Sequence, residues 1–383
     1  LNPPPSPVAE AAATAAIPTL IHDVPDAGRR IGAGPFAGSS DALALADLAR
    51  RAAAHKRMVA VVSAEPRAAQ RLAEEVPWFA PGLRVALLPD WETLPYDQFS
   101  PHQDLVSERL ATLYRVSRGE CDILVVSATS ALYRLAPTSY LAAFTFFLRQ
   151  GETLDVDALR AQLSLAGYSH VTQVVSPGEF GVRGGLIDLF PMGSALPYRI
   201  DLLDSDIESI KTFDVDTQRT LYPVRDVRLL PAREFPLDEA GRTRFRSRFR
   251  EVFEGDPSKS ALYKDVSNGI VPGGIEYYLP LFFQTTATLA EYLPASAVVA
   301  LHGDVRGAVE RFWQDTESRY RLLRGDKARP LLPPTELFVA PDAFNGAIKA
   351  FARVEIAAGE SGPTRPLPPV QVDRRADDPL SAL

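Results

Sequence analysis

Met58-Val-Ala-Val-Val-Ser63 is a short, unbroken apolar run rich in β-branched residues. Such a run reads as a strand buried on both faces, the setting of a parallel sheet covered by helices. Working outward, Leu83–Leu88, Ile123–Val126 and Ala297–Leu301 have the same texture. Helical patterns lie between and around them. Asp41–Lys56 carries Leu43, Leu45, Leu48 and alanines on one side, and further patterns occupy Pro66–Val76, Asp104–Val116 and, briefly, Ser130–Leu135. Apolar strands alternating with amphipathic helices predict an α/β domain with a parallel sheet.

The texture changes near residue 140. From Leu141 to about Leu229 the strands alternate polar and apolar and are punctuated by turn signals: Ser176-Pro-Gly178, Gly184-Gly185, Pro191-Met-Gly-Ser194 and Asp204-Ser-Asp206. One helix, Val156–Leu165, sits among them. An inserted α+β unit with a largely antiparallel sheet is expected. Helical spacing returns at Leu237–Phe253 and at Val305–Leu323, and a strand–helix–strand stretch is expected over Glu336–Ile356. The sequence leaves open whether the two flanking α/β parts are halves of one domain. Residues 1–18 read as a mobile tail and the proline-rich residues 359–383 as a linker. Starting at Leu1 rather than Met, the chain reads as a piece of something longer.

The bulk numbers narrow the function. The 383 residues suit two or three compact units. A net charge of −7 argues against a strong autonomous grip on nucleic acid, which draws its affinity from Lys and Arg replacing counterions, although it permits a local basic patch. The single cysteine, Cys121, rules out an internal disulfide framework and fits a cytoplasmic protein. It opens an apolar run and reads as a buried structural thiol. No stretch of about 18 apolar residues suggests a membrane span.

The best candidate for a phosphate-binding loop is Gly32-Ala-Gly34-Pro-Phe-Ala-Gly38-Ser39-Ser40, just before the first strong helix. Free N–H groups at a helix N-terminus can cradle an anion. A working loop of this class also needs a lysine for the outer phosphates, and Ser39 stands in its place. Gly32, Gly34, Gly38 and Ser39 therefore read as a degenerate nucleotide loop, a tight turn with Ser39, Ser40 or Asp41 capping the helix. His22, His55, His102, His170 and His302 are scattered without ligand spacing, so no zinc site is expected. Asp201, Asp204, Asp206 and Glu208 read as solvated carboxylates around a turn. No catalytic nucleophile with an identifiable base is apparent. On the strand Tyr198–Leu203, Arg199, Asp201 and Leu203 share one face because side chains repeat every two residues. Arg183 precedes Gly184-Gly185 and the apolar strand Leu186–Phe190. Taken by pattern alone, such an Arg and Asp make an ordinary surface salt bridge, worth ~0–1 kcal/mol.

Several longer stretches carry a family resemblance. They are Leu88-Pro-Asp-Trp-Glu-Thr-Leu-Pro-Tyr-Asp-Gln-Phe-Ser-Pro-His-Gln-Asp104, Arg183-Gly-Gly-Leu-Ile-Asp-Leu-Phe-Pro-Met-Gly193, Phe213-Asp-Val-Asp-Thr-Gln-Arg-Thr220, Leu230-Pro-Ala-Arg-Glu-Phe-Pro236 and Gly274-Ile-Glu-Tyr-Tyr-Leu-Pro-Leu-Phe-Phe283. In this order, from about residue 58 to about 356, the chain resembles the N-terminal region of bacterial transcription-repair coupling factors. That region is itself similar to domains 1a, 2 and 1b of the excision-repair protein UvrB. The resemblance implies a degenerate P-loop-like parallel-sheet domain in two halves, with an inserted α+β UvrA-binding domain. On this chain the implied boundaries are 19–140 (1a), 141–229 (2) and 230–358 (1b). It implies a UvrB-mimicking module that recruits UvrA to RNA polymerase stalled at DNA damage, with no cofactor of its own. ATP, magnesium, RNA polymerase and DNA are implied as partners of a motor and other domains further along the family's chain. UvrB's long DNA-gripping hairpin has no room here, because only Glu92–Gln103 separates the flanking elements. The family's UvrA-contacting positions map onto Arg183, Arg199 and Leu203, the last usually an aromatic residue. The rival functions are a nucleotide-hydrolysing helicase half and a DNA-binding fragment.

Overall fold

The computed structural model describes residues 20–359, so the expectations placed on 1–18 and on 360–383 lie outside the described residues. The first part of the chain supplies β1 (Arg30–Ala33), β2 (Val59–Ser63), β3 (Val85–Leu88) and β4 (Ile123–Ser127). After an excursion from β5 (Phe146–Arg149) to β12 (Asp226–Leu229), the chain returns for β13 (Val298–His302) and β14 (Ala352–Ile356). These six flanking strands form one sheet in the order β1-β14-β13-β2-β4-β3, and every pairing is parallel. The two flanking parts are thus halves of a single sheet, sewn together where β13 lies against β2 with Val298 opposite Val59 and His302 opposite Ser63.

Alternation along the strands builds two cores. Val59, Val61, Ile123, Val125, Ala300 and Val354 face the helices Ser40–Ala54 and Pro66–Phe79, which contribute Leu45, Leu48, Leu72 and Val76. Ala60, Val62, Leu124, Val126 and Val299 face the other way, into a larger core shared with the helix Gln103–Ser117. β2 and β4 are buried along their whole length, which is why they read as continuous apolar runs. Cys121 is buried, and burial pushes its thiol up to about 12.

Three local expectations need correction. The short helix expected at Ser130–Leu135 is a 3₁₀ turn over Ser130–Leu132. It stops there because Tyr133 and Leu135 make antiparallel bridges to Phe338 and Ala287. The strand expected to open the Glu336–Ile356 stretch does not form; the helices Pro334–Leu337 and Pro341–Ile348 precede β14, and Phe338 joins only through its bridge to Tyr133. Gly32, read as part of the turn, lies inside β1, whose pairing with β14 only the folded chain reveals.

The insert carries its own sheet: β6 (Ser169–His170), β7 (Glu179–Arg183), β8 (Leu186–Phe190), β9 (Tyr198–Leu203), β10 (Asp206–Phe213) and β11 (Thr220–Val224). Neighbours pair antiparallel throughout except at β6–β7. One face buries Phe180, Ile187, Leu189, Ile200 and Ile210. The insert leaves and rejoins the α/β domain through the antiparallel pair β5–β12. Gly193 marks its closest approach to the helix Gln103–Ser117. With φ at 78°, any Cβ there would stand 2.6 Å from the Ala111 Cβ, and the Gly193 amide donates to Ser107 Oγ at 2.7 Å.

The joint is closed by a buried ion pair. Arg109 Nε donates to Glu234 Oε1 at 2.6 Å, with the two side chains 1% and 4% exposed. Arg109 Nη1 donates to the Pro89 carbonyl at 2.7 Å, and the guanidinium lies 5.1 Å from the Trp91 ring centroid. Trp91 Nε1 completes the set by donating to Glu234 at 3.4 Å. Removing one member of such a pair strands a charge in the interior, at a typical cost of about 3–5 kcal/mol. Glu234→Ala is therefore expected to lower the unfolding free energy in urea by about that much, and Arg109→Met/Glu234→Leu to recover most of it. A loss under about 1 kcal/mol for the single variant would show that the joint is held by apolar packing instead.

Candidate functional site

β7 to β10 set the register of a polar outer face. Asp188 on β8 lies opposite Gly181 on β7 and Arg199 on β9; Arg199 lies opposite Lys211 on β10; Leu186 lies opposite both Arg183 and Asp201. Paired residues in a sheet point the same way, so Arg183, Asp188, Arg199, Asp201, Leu203 and Lys211 share the face turned from the insert's apolar core.

Asp188 organises this face. Its carboxylate is buried, and it accepts from Arg199 Nε at 2.7 Å, Arg199 Nη2 at 2.9 Å and Arg183 Nη2 at 2.8 Å. Arg199 is nearly enclosed: its Nη1 donates to the Gln218 carbonyl at 3.0 Å, and it stacks 4.8 Å from the Phe213 ring centroid. The hydrogen bond to Asp188 raises the Arg199 pKa above the ordinary arginine value, so its charge is permanent. Arg183 differs, because 59% of its side chain is exposed and only Nη2 is engaged with the carboxylate. Leu203, at the end of β9, is 64% exposed. Asp201 is held by Ser209 Oγ at 2.7 Å and Lys211 Nζ at 3.1 Å. Burial raises its pKa, but these two partners outweigh that and leave it below the usual carboxylate value. The fold thus brings Arg183 and Arg199 together on one carboxylate and sets Leu203 apart, free for contact. Sequence reasoning missed Asp188. The signal was present: a lone carboxylate between Ile187 and Leu189 in an apolar strand must find a cation or stay uncharged.

The degenerate loop lies at the C-terminal edge of the parallel sheet. Gly34 and Gly38 adopt positive φ, and Ser39 precedes the helix Ser40–Ala54 without a side-chain capping bond. Next to them is a cleft of about 390 Å³ lined by Gly38, Asp41, Ser63, Arg71, His302 and Arg311, among others. Asp41 occupies the helix N-terminus where a phosphate would approach. Its Oδ1 accepts from the Ala42 amide at 2.7 Å and from Arg71 Nη1 at 3.1 Å; its Oδ2 lies 2.9 Å from His302 Nε2. His302 Nδ1 in turn lies 3.3 Å from Ser63 Oγ. Burial would raise the Asp41 pKa, but hydrogen bonds from His302 and Arg71, the Arg71 charge and the Ala42 amide together hold it well below the usual carboxylate range. A fixed carboxylate there places negative charge at the helix N-terminus and engages the Arg71 guanidinium.

Because the folded Asp41 pKa is depressed, its stabilising contribution is present above the ordinary carboxylate pKa and is lost as pH falls below about 4. Asp41→Asn is expected to flatten the acid limb of the stability curve, measured by urea unfolding from pH 3 to pH 7. An acid limb as steep as the wild type's would mean that other carboxylates carry it.

Among known proteins, the family model described as "UvrB interaction domain" matches residues 146–235, spanning the insert from β5 through the Glu234 segment. The transcription-repair-coupling factor of Escherichia coli (strain K12) is 41% identical over 359 residues, covering 91% of this chain and 31% of the relative. That of Haemophilus influenzae is 39% identical over 355 residues, covering 90% and 30%. The Bacillus subtilis (strain 168) protein of the same name is 25% identical over 247 residues, covering 61% and 21%. The chain spans less than a third of the length of the curated relatives it matches. With the insert recognised as a UvrB interaction domain and the remainder aligned to these relatives, the chain belongs to the transcription-repair coupling factor family, as an N-terminal segment.

Proposed function

We propose that the outer face of the inserted sheet docks UvrA, and that the chain serves the family's larger protein by recruiting UvrA to RNA polymerase stalled at DNA damage. The observation that carries this reading is the pairing of a half-free Arg183 with an exposed Leu203 on a face whose charges are pre-arranged by Asp188. The two arginines divide the work. Arg199 is spent on Asp188 and Gln218 and positions the face, whereas Arg183 keeps donors free for a partner carboxylate. Leu203 supplies a small apolar contact elsewhere on the same face. Holding these groups in place beforehand lowers the entropy lost on docking.

In this reading the chain itself hydrolyses no nucleotide. Ser39 supplies no charge where a lysine would stand, and Asp41 takes the phosphate's place. ATP-driven translocation, and with it ATP, magnesium and RNA polymerase, belongs in the remaining two thirds of the family's proteins. A cytoplasmic setting follows from that role. Among the described residues no helix is long and apolar enough to cross a membrane.

Calorimetry of the 383-residue chain against purified UvrA tests the proposal. Arg183→Ala is expected to weaken binding at least tenfold with unchanged thermal unfolding. Arg199→Ala should weaken binding and also lower the melting temperature, because it uncovers buried Asp188. Leu203→Phe should tighten binding by adding apolar area. Wild-type affinity in Arg183→Ala and Leu203→Ala together would remove this face from the interface. For the nucleotide site, ATP turnover by the chain above a protein-free blank, abolished by Gly38→Asp, would overturn the non-hydrolytic reading.

A further inference from the structure

The helix Glu239–Val252 reads Glu-Ala-Gly-Arg-Thr-Arg-Phe-Arg-Ser-Arg-Phe-Arg-Glu-Val, with five arginines against two glutamates in a chain whose net charge is −7. Gly241, Phe245 and Phe249 are its buried stripe. At 100° per residue, Arg242, Arg246 and Arg250 flank one side of the outer face and Arg244 and Arg248 the other, with Thr243 and Ser247 on the ridge between. Glu239 pairs with both Arg242 (2.6 Å) and Arg246 (2.9 Å), and Glu251 pairs with Arg248 (2.8 Å). Arg250 rests on the Tyr263 hydroxyl and ring. Arg244 is exposed and has no ion pair among the described residues. Internal pairing therefore leaves a surplus of positive charge in two rows along a helix about 21 Å long.

We propose that this helix is a docking surface for the phosphate backbone of duplex DNA, bound without regard to sequence. Charge complementarity identifies a polyanion. Arginine guanidiniums are donors that phosphate oxygens take, while the Thr243 and Ser247 hydroxyls between the two rows donate to Glu239 at 3.3 Å and to Glu251 at 3.1 Å. The choice of duplex over single strand rests on the aromatic residues. Single-strand binders stack bases on exposed rings, whereas Phe245 and Phe249 face the core and the outer face carries no ring. The surface is on the α/β domain, separate from the inserted sheet, so the proposal stands apart from UvrA docking.

The test is fluorescence anisotropy of a labelled 20-base-pair duplex with the 383-residue chain, across a salt series. Arg244→Gln/Arg248→Gln/Arg250→Gln is expected to weaken binding at least tenfold at low salt and to reduce the log–log salt slope by about 3, near 0.9 for each phosphate no longer neutralised. Arg244→Glu, at an exposed site with no ion pair to lose, should weaken it in the same direction with melting unchanged. The proposal is overturned if the wild-type chain fails to bind duplex at low salt, or if these variants keep its slope. Tighter binding of a single strand would overturn it too. So would arginine-dependent binding of a poly-glutamate peptide in preference to duplex, which would assign the helix to an acidic protein partner.

Discussion

The molecule depends on holding an excursion of the chain, Phe146–Leu229, in fixed register with a sheet whose strands come from both sides of it, and the Arg109–Glu234 pair is where that is enforced. Arg109 sits on the helix that covers the parallel sheet; Glu234 lies just after the insert returns. A buried pair of this kind adds little net stability over an apolar replacement, but it is geometrically demanding. Its donors and acceptor must meet within about 3 Å, so the returning segment has one way to dock where greasy packing would allow several. Trp91 shares both partners, touching the Arg109 guanidinium with its ring and Glu234 with its indole N–H.

This explains why the stretches that carry the family resemblance are mostly not at the proposed interface. Leu88–Asp104 supplies Asp90, which accepts from Ser130 at 2.9 Å, and Trp91, which packs edge-on against Tyr133 and Tyr277. Gly274–Phe283 supplies Tyr277, whose hydroxyl donates to the Leu94 carbonyl at 2.7 Å. Leu230–Pro236 supplies Glu234. Three separated motifs therefore meet in one cluster that fixes the insert against the α/β domain. Only the Arg183–Gly193 stretch spans both tasks, with Arg183 on the outer face and Gly193 pressed against Ala111.

Much of the fold was legible because burial on both faces leaves a plain mark: β2, β4 and β13 are apolar runs, and the helices between them have a clear period. β1 was illegible because Arg-Ile-Gly-Ala has no such mark; it becomes a strand only through its pairing with β14, more than three hundred residues away in sequence. The union of the two halves was hidden from pattern for the same reason, since strand order is a property of long-range pairing, and only the family resemblance implied it. The strand expected after Glu336 failed the opposite way: a local apolar pattern was satisfied by packing Phe338 against Tyr133 and Phe312 without a ladder. Of the candidate site, the shared face of Arg199, Asp201 and Leu203 followed from period two. That Arg199 is enclosed and Arg183 half free did not, because it turns on Asp188, whose place between the two arginines is set by the register of three strands.

The two sites share one electrostatic device used to opposite ends. At the edge of the parallel sheet Asp41 draws Arg71 and His302 onto itself at a helix N-terminus, and the local positive field is consumed inside the protein. On the inserted sheet Asp188 is likewise buried beneath two arginines, but its two oxygens are saturated by Arg199 with Arg183 only leaning on one of them. One carboxylate against two guanidiniums leaves a positive charge, and the half-exposed partner presents it to solvent. The first arrangement is a structural clasp between the two halves of the sheet, since Asp41 and His302 come from opposite halves. The second turns a buried salt bridge into a surface with charge to spare. With Asp41 bound to the Ala42 amide, Arg71 and His302, the chain's own side chains complete this helix N-terminus and tie together the sheet on which the inserted sheet is mounted.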